Sequence, residues 1–444
     1  MRAPSFVLLL LCQASWIHAD DWPQWMGPER DGVWRETGIV ARLPENGPEL
    51  RWKTEIGAGY AGPAVVGDRV FVADRILKPD AANPDDPFVR AGEIAGWERL
   101  LCLDDETGEV VWSYENDVAY TVSYAAGPRA TPTVVDGRVY VLGAEGHLTC
   151  LEADSGDSVW QVHFETAFGT KTPVWGFASS PLVYGDSVVC LVGGEDTGVV
   201  AFNKHTGERQ WANLTAQEPG YCPPRLLNWN DQERLLIWNP EGLYALDPTS
   251  GATQWEYPWK LRYGLSIPLP RVVDNKIFLT AFYNGSALLE LAEDGSGVSE
   301  IWKSPKVSEK DTTYLHSIMS TPVIDNGYIY GCCSYGQFRC LSLEDGERQW
   351  ESLEFTTVDR EQRWGNAFIT KQEDRYFLFN ERGELLIATL ASEGYDIHSR
   401  AKLLEPNSVD LRQRKIVWSH PAYANKNIYA RNDSEIVSYS LATE

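Results

Sequence analysis

Six segments of this chain end alike, and the spacing of those endings governs what the rest can be. Residues 131–160 read TPTVVDGRVYVLGAEGHLTCLEADSGDSVW: an apolar run, a DG tight turn, two alternating runs, and a DSGD turn into a strand closing on Trp160. That is one unit of four short antiparallel strands. Equivalent segments close on Trp112, Trp211, Trp255, Trp302 and Trp350, so successive tryptophans lie 48, 51, 44, 47 and 48 residues apart. A sheet unit of this length cannot cover its own faces, and stacked neighbours must do so, which predicts an all-β propeller of four-stranded blades. Two weaker copies, 365–404 and 418–441, bring the number to eight. The last supplies three strands, and LRWKTEIG at 50–57 is predicted to add the fourth, closing the ring at a seam between the two ends of the chain.

One repeat fills nearly all of the 444 residues, so a single propeller domain over 50–444 is expected, with no window showing helical periodicity. Ahead of it, residues 1–19 have one positive charge, a short apolar core and a small residue before an acidic start, the pattern of a cleaved secretory signal. Leu9, Leu10 and Leu11 precede Cys12 where a lipid-attachment signal wants a small residue, so cleavage near Ala19 and export without lipid, to the periplasm or beyond, are expected. Residues 20–49 form a polar and aromatic arm, DWPQWMGPERDG at its start, whose Trp22 and Trp25 are expected to pack against the outside of the ring. A net charge of −24 excludes polyanionic partners: no nucleic acid and no membrane insertion are expected, and the chain is read as a monomer.

Cys102, Cys150 and Cys340 each stand ten residues before their blade's tryptophan, where other blades carry Ala201 and Ala245. A position that accepts cysteine or alanine is a small buried slot, so these read as packing residues. Cys332 and Cys333, adjacent in one strand, are the pair worth testing for oxidation.

The turns within blades fall into two sets. First-to-second and third-to-fourth connections are tight and share one side of the disc, because antiparallel strands reverse at every turn. The other side receives the long connections: 73–97, 113–130, 161–179, 256–267, 303–320, 351–365 and 404–417. Loops of that length on a rigid scaffold are where ligands are met. Residues just before each inner strand should ring the mouth of the central channel: Tyr60, Arg129, Trp175, Phe177, Tyr221, Arg262, Tyr263, His316, Trp364, Asn366, Trp418 and His420. This aromatic and basic group in an acidic protein suits a small flat or anionic ligand, or an unidentified protein partner. Two histidines without a third ligand do not make a metal site, and no nucleophile motif supports Ser/His/Asp catalysis.

Endings such as CLDDETGEVVW, AFNKHTGERQW and ALDPTSGATQW resemble the tryptophan-docking repeat of the pyrroloquinoline quinone (PQQ)-binding-like propeller family, and the opening DWPQWMGPERDG with GAGYAGPAVVGDRVFVADR resembles exported bacterial members of it. The resemblance runs from about residue 20 to the end. It implies one of two functions: a dehydrogenase oxidising alcohols or sugars with PQQ and Ca²⁺, or a non-enzymatic propeller that binds proteins in outer-membrane assembly. For the first, Trp175 or Trp364 would be the floor under the quinone and Arg129 or Arg262 its cation, but no Asp or Glu lies within four residues of an inner-strand start to hold Ca²⁺ or act as base. Asp117, Asp311 and Asp359 are acids in longer loops. Cys332–Cys333 is similar to the vicinal cysteines of that enzyme class but sits in a blade strand. The expectation is a non-catalytic binding propeller, with the PQQ-dependent oxidoreductase second.

Overall fold

A computed structural model describes residues 21–443, apart from 306, 307 and 311. The signal segment and its cleavage site, and Asp311, lie outside the described residues. Eight four-stranded antiparallel sheets form the ring. Blades 1 to 7 span 64–117, 133–163, 182–213, 225–258, 271–303, 323–352 and 367–402, and blade 8 joins 422–440 to the strand Leu50–Glu55. That strand pairs antiparallel with Glu435–Ser440, Leu50 opposite Tyr439 and Glu55 opposite Glu435. The seam is therefore closed by the two ends of the chain, as the missing strand required. Outer strands run further than the sequence suggests. Val110–Asp117 stays in the sheet past Trp112, so the connection after blade 1 begins at 118 rather than 113.

The repeat tryptophans of blades 1, 2, 3, 5 and 6 work as joints between blades, whereas in blade 4 it is Trp229, not Trp255, that donates to the next blade, to Ala292 O at 3.2 Å. The indole N–H of Trp112 donates to Ala153 O at 3.0 Å, that of Trp160 to Lys204 O at 3.0 Å, and that of Trp350 to Ala391 O at 2.8 Å, each carbonyl belonging to the next blade. The rings of Trp112, Trp160 and Trp211 lie over the glycine of the next blade's third-to-fourth turn: a Cβ on Gly156 would meet Trp112 at 2.5 Å, one on Gly207 Trp160 at 2.7 Å and one on Gly251 Trp211 at 2.3 Å, while Gly394 in the turn after Trp350 has nothing within 4 Å. Burying such a ring contributes up to about 3 kcal/mol per joint. Trp52, in the closing strand, does the same for the seam, donating to Asp105 O at 2.6 Å and covering Gly108. For five of the six tryptophans the slot ten residues before is the cross-strand neighbour: Cys102 faces Trp112, Cys150 Trp160, Ala201 Trp211, Ala245 Trp255 and Cys340 Trp350, while Trp302 faces Leu288. A small side chain there leaves room for the indole. All seven described cysteines are buried free thiols. Cys332 contacts Ala367 O of blade 7 whereas Cys333 contacts Arg339, since consecutive strand residues point to opposite faces.

The arm departs from expectation. Trp22 and Trp25 do not pack outside the ring; they stand in its channel, 3% and 7% exposed. Trp22 bridges Val65 on the inner strand of blade 1, and Pro23 O accepts from Val134 N of blade 2. The Arg30 guanidinium donates to Pro181 O and, at 3.0 Å, to Pro224 O, at the starts of blades 3 and 4. Arg271 of blade 5 donates to Asp31 O, Val33 bridges Lys371 of blade 7, and Trp22 and Trp34 pack on Tyr423 of blade 8. Only a segment on the axis reaches inner strands on every side. The antiparallel bridge at Trp22 and the parallel one at Val33 make it a finger that rises from the tight-turn side, turns at 26–31 and descends again. The reason is hydrogen-bonding demand: inner strands have one unpaired edge each, and the finger satisfies several of them.

Candidate functional site

Because the finger stops part-way up, the channel is a blind cup open on the long-loop side, with Trp25 at its floor. Its cavity of about 580 Å³ is the size of a small-molecule site. Twelve aromatic side chains line it, with His420, Ser180, seven aliphatic residues and two arginines, Arg129 and Arg363. The wall comes from the connections between blades and from second-to-third-strand connections within blades 1 and 5, which carry Phe88, Phe282 and Tyr283. Trp175 and Tyr221 meet edge to face at 6.0 Å, as do Trp364 and Trp418 at 6.3 Å. A buried carboxylate, Glu381, sets the second pair: it accepts from Trp418 Nε1 at 3.3 Å and pairs with Arg414, whose guanidinium also reaches Asp410 at 2.8 Å and Arg363 O at 3.2 Å. Burial raises the Glu381 carboxyl, and Arg414 works against that.

Eight of the twelve residues chosen from sequence stand in the wall: Tyr60, Arg129, Trp175, Tyr221, Tyr263, Trp364, Trp418 and His420. The other four do not. Phe177 is turned between blades 2 and 3, its ring edge-on to Phe164 at 5.2 Å, because it lies two residues beyond Trp175 on a chain that already bonds Ala144 O. His316 is 1% exposed; its Nδ1 lies 3.0 Å from Phe282 O, and since a carbonyl only accepts, Nδ1 carries the proton. Burial lowers its pKa to about 4. Asn366 is buried, its carbonyl accepting from Glu381 N. Arg262 sits on the rim in a short 3₁₀ turn, its guanidinium over the rings of Tyr263 and Tyr283 at 4.8 and 5.1 Å. Residues missed from sequence include Trp25, Phe88, Tyr124, Phe282, Tyr283 and Arg363. A signal existed for Arg363, which precedes Trp364, and for AFYNG at 281–285; nothing local marks Trp25 as a floor.

The polar groups of the cup are few. Burial holds His420 neutral, with a pKa of about 3, and its ring lies tilted against Phe368 with centroids 3.8 Å apart. Burial also raises the phenols of Tyr60 and Tyr221, and that of Tyr124 to about 12. Arg129 donates to the carbonyls of Gly127, Ser123 and Tyr124 and covers the Tyr60 ring, so its expected service as a ligand cation is largely taken up by its own loop. No Asp or Glu lines the cup among the described residues, and no cluster of three metal-ligating side chains occurs among them. Asp117 is paired with Lys78 away from the cup, and Asp359 is exposed. PQQ with Ca²⁺ needs hard oxygen ligands and a carboxylate base, and this donor set does not fit it. The ring at the floor is Trp25, not Trp175 or Trp364.

Eight four-stranded blades, most of them joined through docked tryptophans, around an aromatic cup define a quinoprotein-type β-propeller. The chain belongs to the PQQ-like propeller family: a family model described as outer membrane protein assembly factor BamB matches residues 36–163 and 96–352. It is 24% identical over 277 residues to outer membrane protein assembly factor BamB of Yersinia pestis, covering 61% of this chain and 65% of that protein. It is 27% identical over 265 residues to the dehydrogenase subunit of a quinone alcohol dehydrogenase of Komagataeibacter europaeus, covering 54% and 32%. The chain thus spans less than two thirds of the length of these relatives. The crystal structure of BamB from Moraxella catarrhalis aligns with a TM-score of 0.56 at 16% identity, over 87% of this chain and 99% of that one. A europium-containing methanol dehydrogenase aligns with a TM-score of 0.63 at 13% identity, over 95% and 98%. At such identities these two alignments speak for the fold alone. No helix among the described residues is long and apolar enough to cross a membrane.

Proposed function

We propose that this protein is an exported, non-catalytic propeller that takes an aromatic or partly apolar ligand, or an apolar element of a partner protein, into its cup. The observation that carries this is the lining, twelve aromatic rings with no carboxylate among the described residues. Such a surface offers stacking and desolvation but no general base. Backbone strain points the same way: Tyr124, Tyr263 and Trp364 all line the cup with φ of 54°, 58° and 66°. A left-handed backbone costs a bulky residue about 1–2 kcal/mol, and such strain gathers where side chains are aimed for function. The rim continues the apolar surface outward, with Phe88 43%, Tyr263 55% and Leu411 39% exposed.

The relatives include both assembly factors and quinone dehydrogenases. The two readings separate in one experiment. Purified protein is mixed with PQQ and Ca²⁺, and the absorption spectrum and dye-linked oxidation of alcohols and sugars are recorded. No turnover is expected. Stoichiometric PQQ binding with turnover would make the protein an oxidoreductase and overturn the proposal.

A further inference from the structure

The cup has one corner unlike the rest. Tyr283 lies between two guanidiniums: Arg262 stands over its ring at 5.1 Å, and Arg363 Nη2 donates to its hydroxyl at 2.9 Å. Arg262 forms no ion pair among the described residues, and its one side-chain hydrogen bond there goes to the Tyr263 hydroxyl at 3.1 Å. Among the described residues Arg363 forms one ion pair, with Glu309 at 3.3 Å, and its buried Nε has no partner. Among the described residues these two cations form one ion pair between them, inside a protein of net charge −24. A buried unpartnered donor is costly, and the cost is recovered when an acceptor arrives. Arg129, the other arginine of the wall, already gives its Nη atoms to three loop carbonyls and is not comparable.

We infer that Arg363, assisted by Arg262 across Tyr283, is the anion-binding point of the cup, and that the ligand is a small aromatic monoanion whose carboxylate lies here while its ring stacks among the tryptophans. Resting as it does on the binding role of the cup, the assignment adds to it a direction and a charge. The aromatic body lies against Trp364 and Phe282, which already flank the Arg363 guanidinium at 5.0 and 5.4 Å. A polyanion carried on a metal is disfavoured, because the wall has no carboxylates to hold the metal.

The test uses three probes with one ring system and three charges: 2-naphthoate, 2-naphthamide and 2-naphthylmethylammonium. Each is titrated into the full chain and followed by quenching of the cup tryptophans and by calorimetry. A charge-assisted hydrogen bond corresponds to about tenfold or more in affinity, so naphthoate is expected to bind at least that much tighter than the amide, and the ammonium weakest. The preference should shrink as salt rises and disappear in Arg363→Gln, while Arg262→Gln reduces it in part. The comparison in the unaltered protein needs no variant, so poor folding of Arg363→Gln does not blunt it. If naphthoate and naphthamide bind equally, the anion corner is wrong and the binding cup stands. If none of the three binds, the cup reading falls and takes the corner with it.

Discussion

Gly137 and Gly156 lie in the same blade, in its two tight turns, with nearly the same backbone: φ of 72° and 75°. Replacing either by alanine forces an L side chain into the left-handed region, at about 1–2 kcal/mol. Their surroundings differ. At Gly137 the new Cβ would meet nothing within 4 Å; at Gly156 it would lie 2.5 Å from Trp112 Cε3 and 2.7 Å from Cδ2. No van der Waals contact survives at that distance, so the indole must move and strain its 3.0 Å bond to Ala153 O. Overpacking of this kind costs about 1–3 kcal/mol beyond the backbone term. Gly156→Ala should therefore be less stable than Gly137→Ala by that amount, read from urea unfolding followed by tryptophan fluorescence. In a Trp112→Ala background the excess should vanish, because the clash has no second partner. Equal midpoints for the two alanine variants, or an excess that persists without Trp112, would refute the claim that blades are joined by an indole seated on a glycine.

Arg30→Met should cost about 2–4 kcal/mol, since it strips charge-assisted donors from the carbonyls that start blades 3 and 4; Arg30→Lys should rescue little, lacking the fork. Urea unfolding measures both, and a variant as stable as the parent would remove the finger's role as keystone. His316 makes an acid-limb prediction. Its folded pKa of about 4 lies below the ordinary 6.5, so at pH 7 both states are neutral and nothing is lost. As pH falls below 6.5 the unfolded chain takes up a proton that the folded one refuses, and stability declines until about pH 4, by up to about 3 kcal/mol. His147, also lowered to about 4, and His420 add slope of the same sign. His316→Gln should flatten the profile between pH 6.5 and 4; an unchanged slope would sink the assignment.

The blades, their number and the seam were legible because each rests on local rules: alternation, turn dipeptides and a period set by how many residues four short strands consume. The small slot opposite five of the six tryptophans was legible for the same reason, a fixed offset of ten residues within one hairpin; Trp302, opposite Leu288, breaks it. Trp52 was only half visible; its strand was expected, whereas its docking on Gly108 depends on what stands beside blade 8 once the ring closes. For the cup, position before an inner strand brought eight chosen residues to the wall, but that rule cannot say which way a side chain turns. Phe177, His316 and Asn366 obey it and point into the packing between blades.

The finger belongs wholly to the tertiary structure. DWPQWMGPERDG has no periodicity to read, and its place is decided by partners 151 and 194 residues away along the chain, Pro181 and Pro224 for Arg30. Strand and turn preferences act between neighbours, so composition and spacing determine a ring of eight sheets with one plain and one elaborated side. Which segment fills the axis is a contest for unpaired backbone edges that exist only after the ring has formed, and with it comes the choice of Trp25 as the floor.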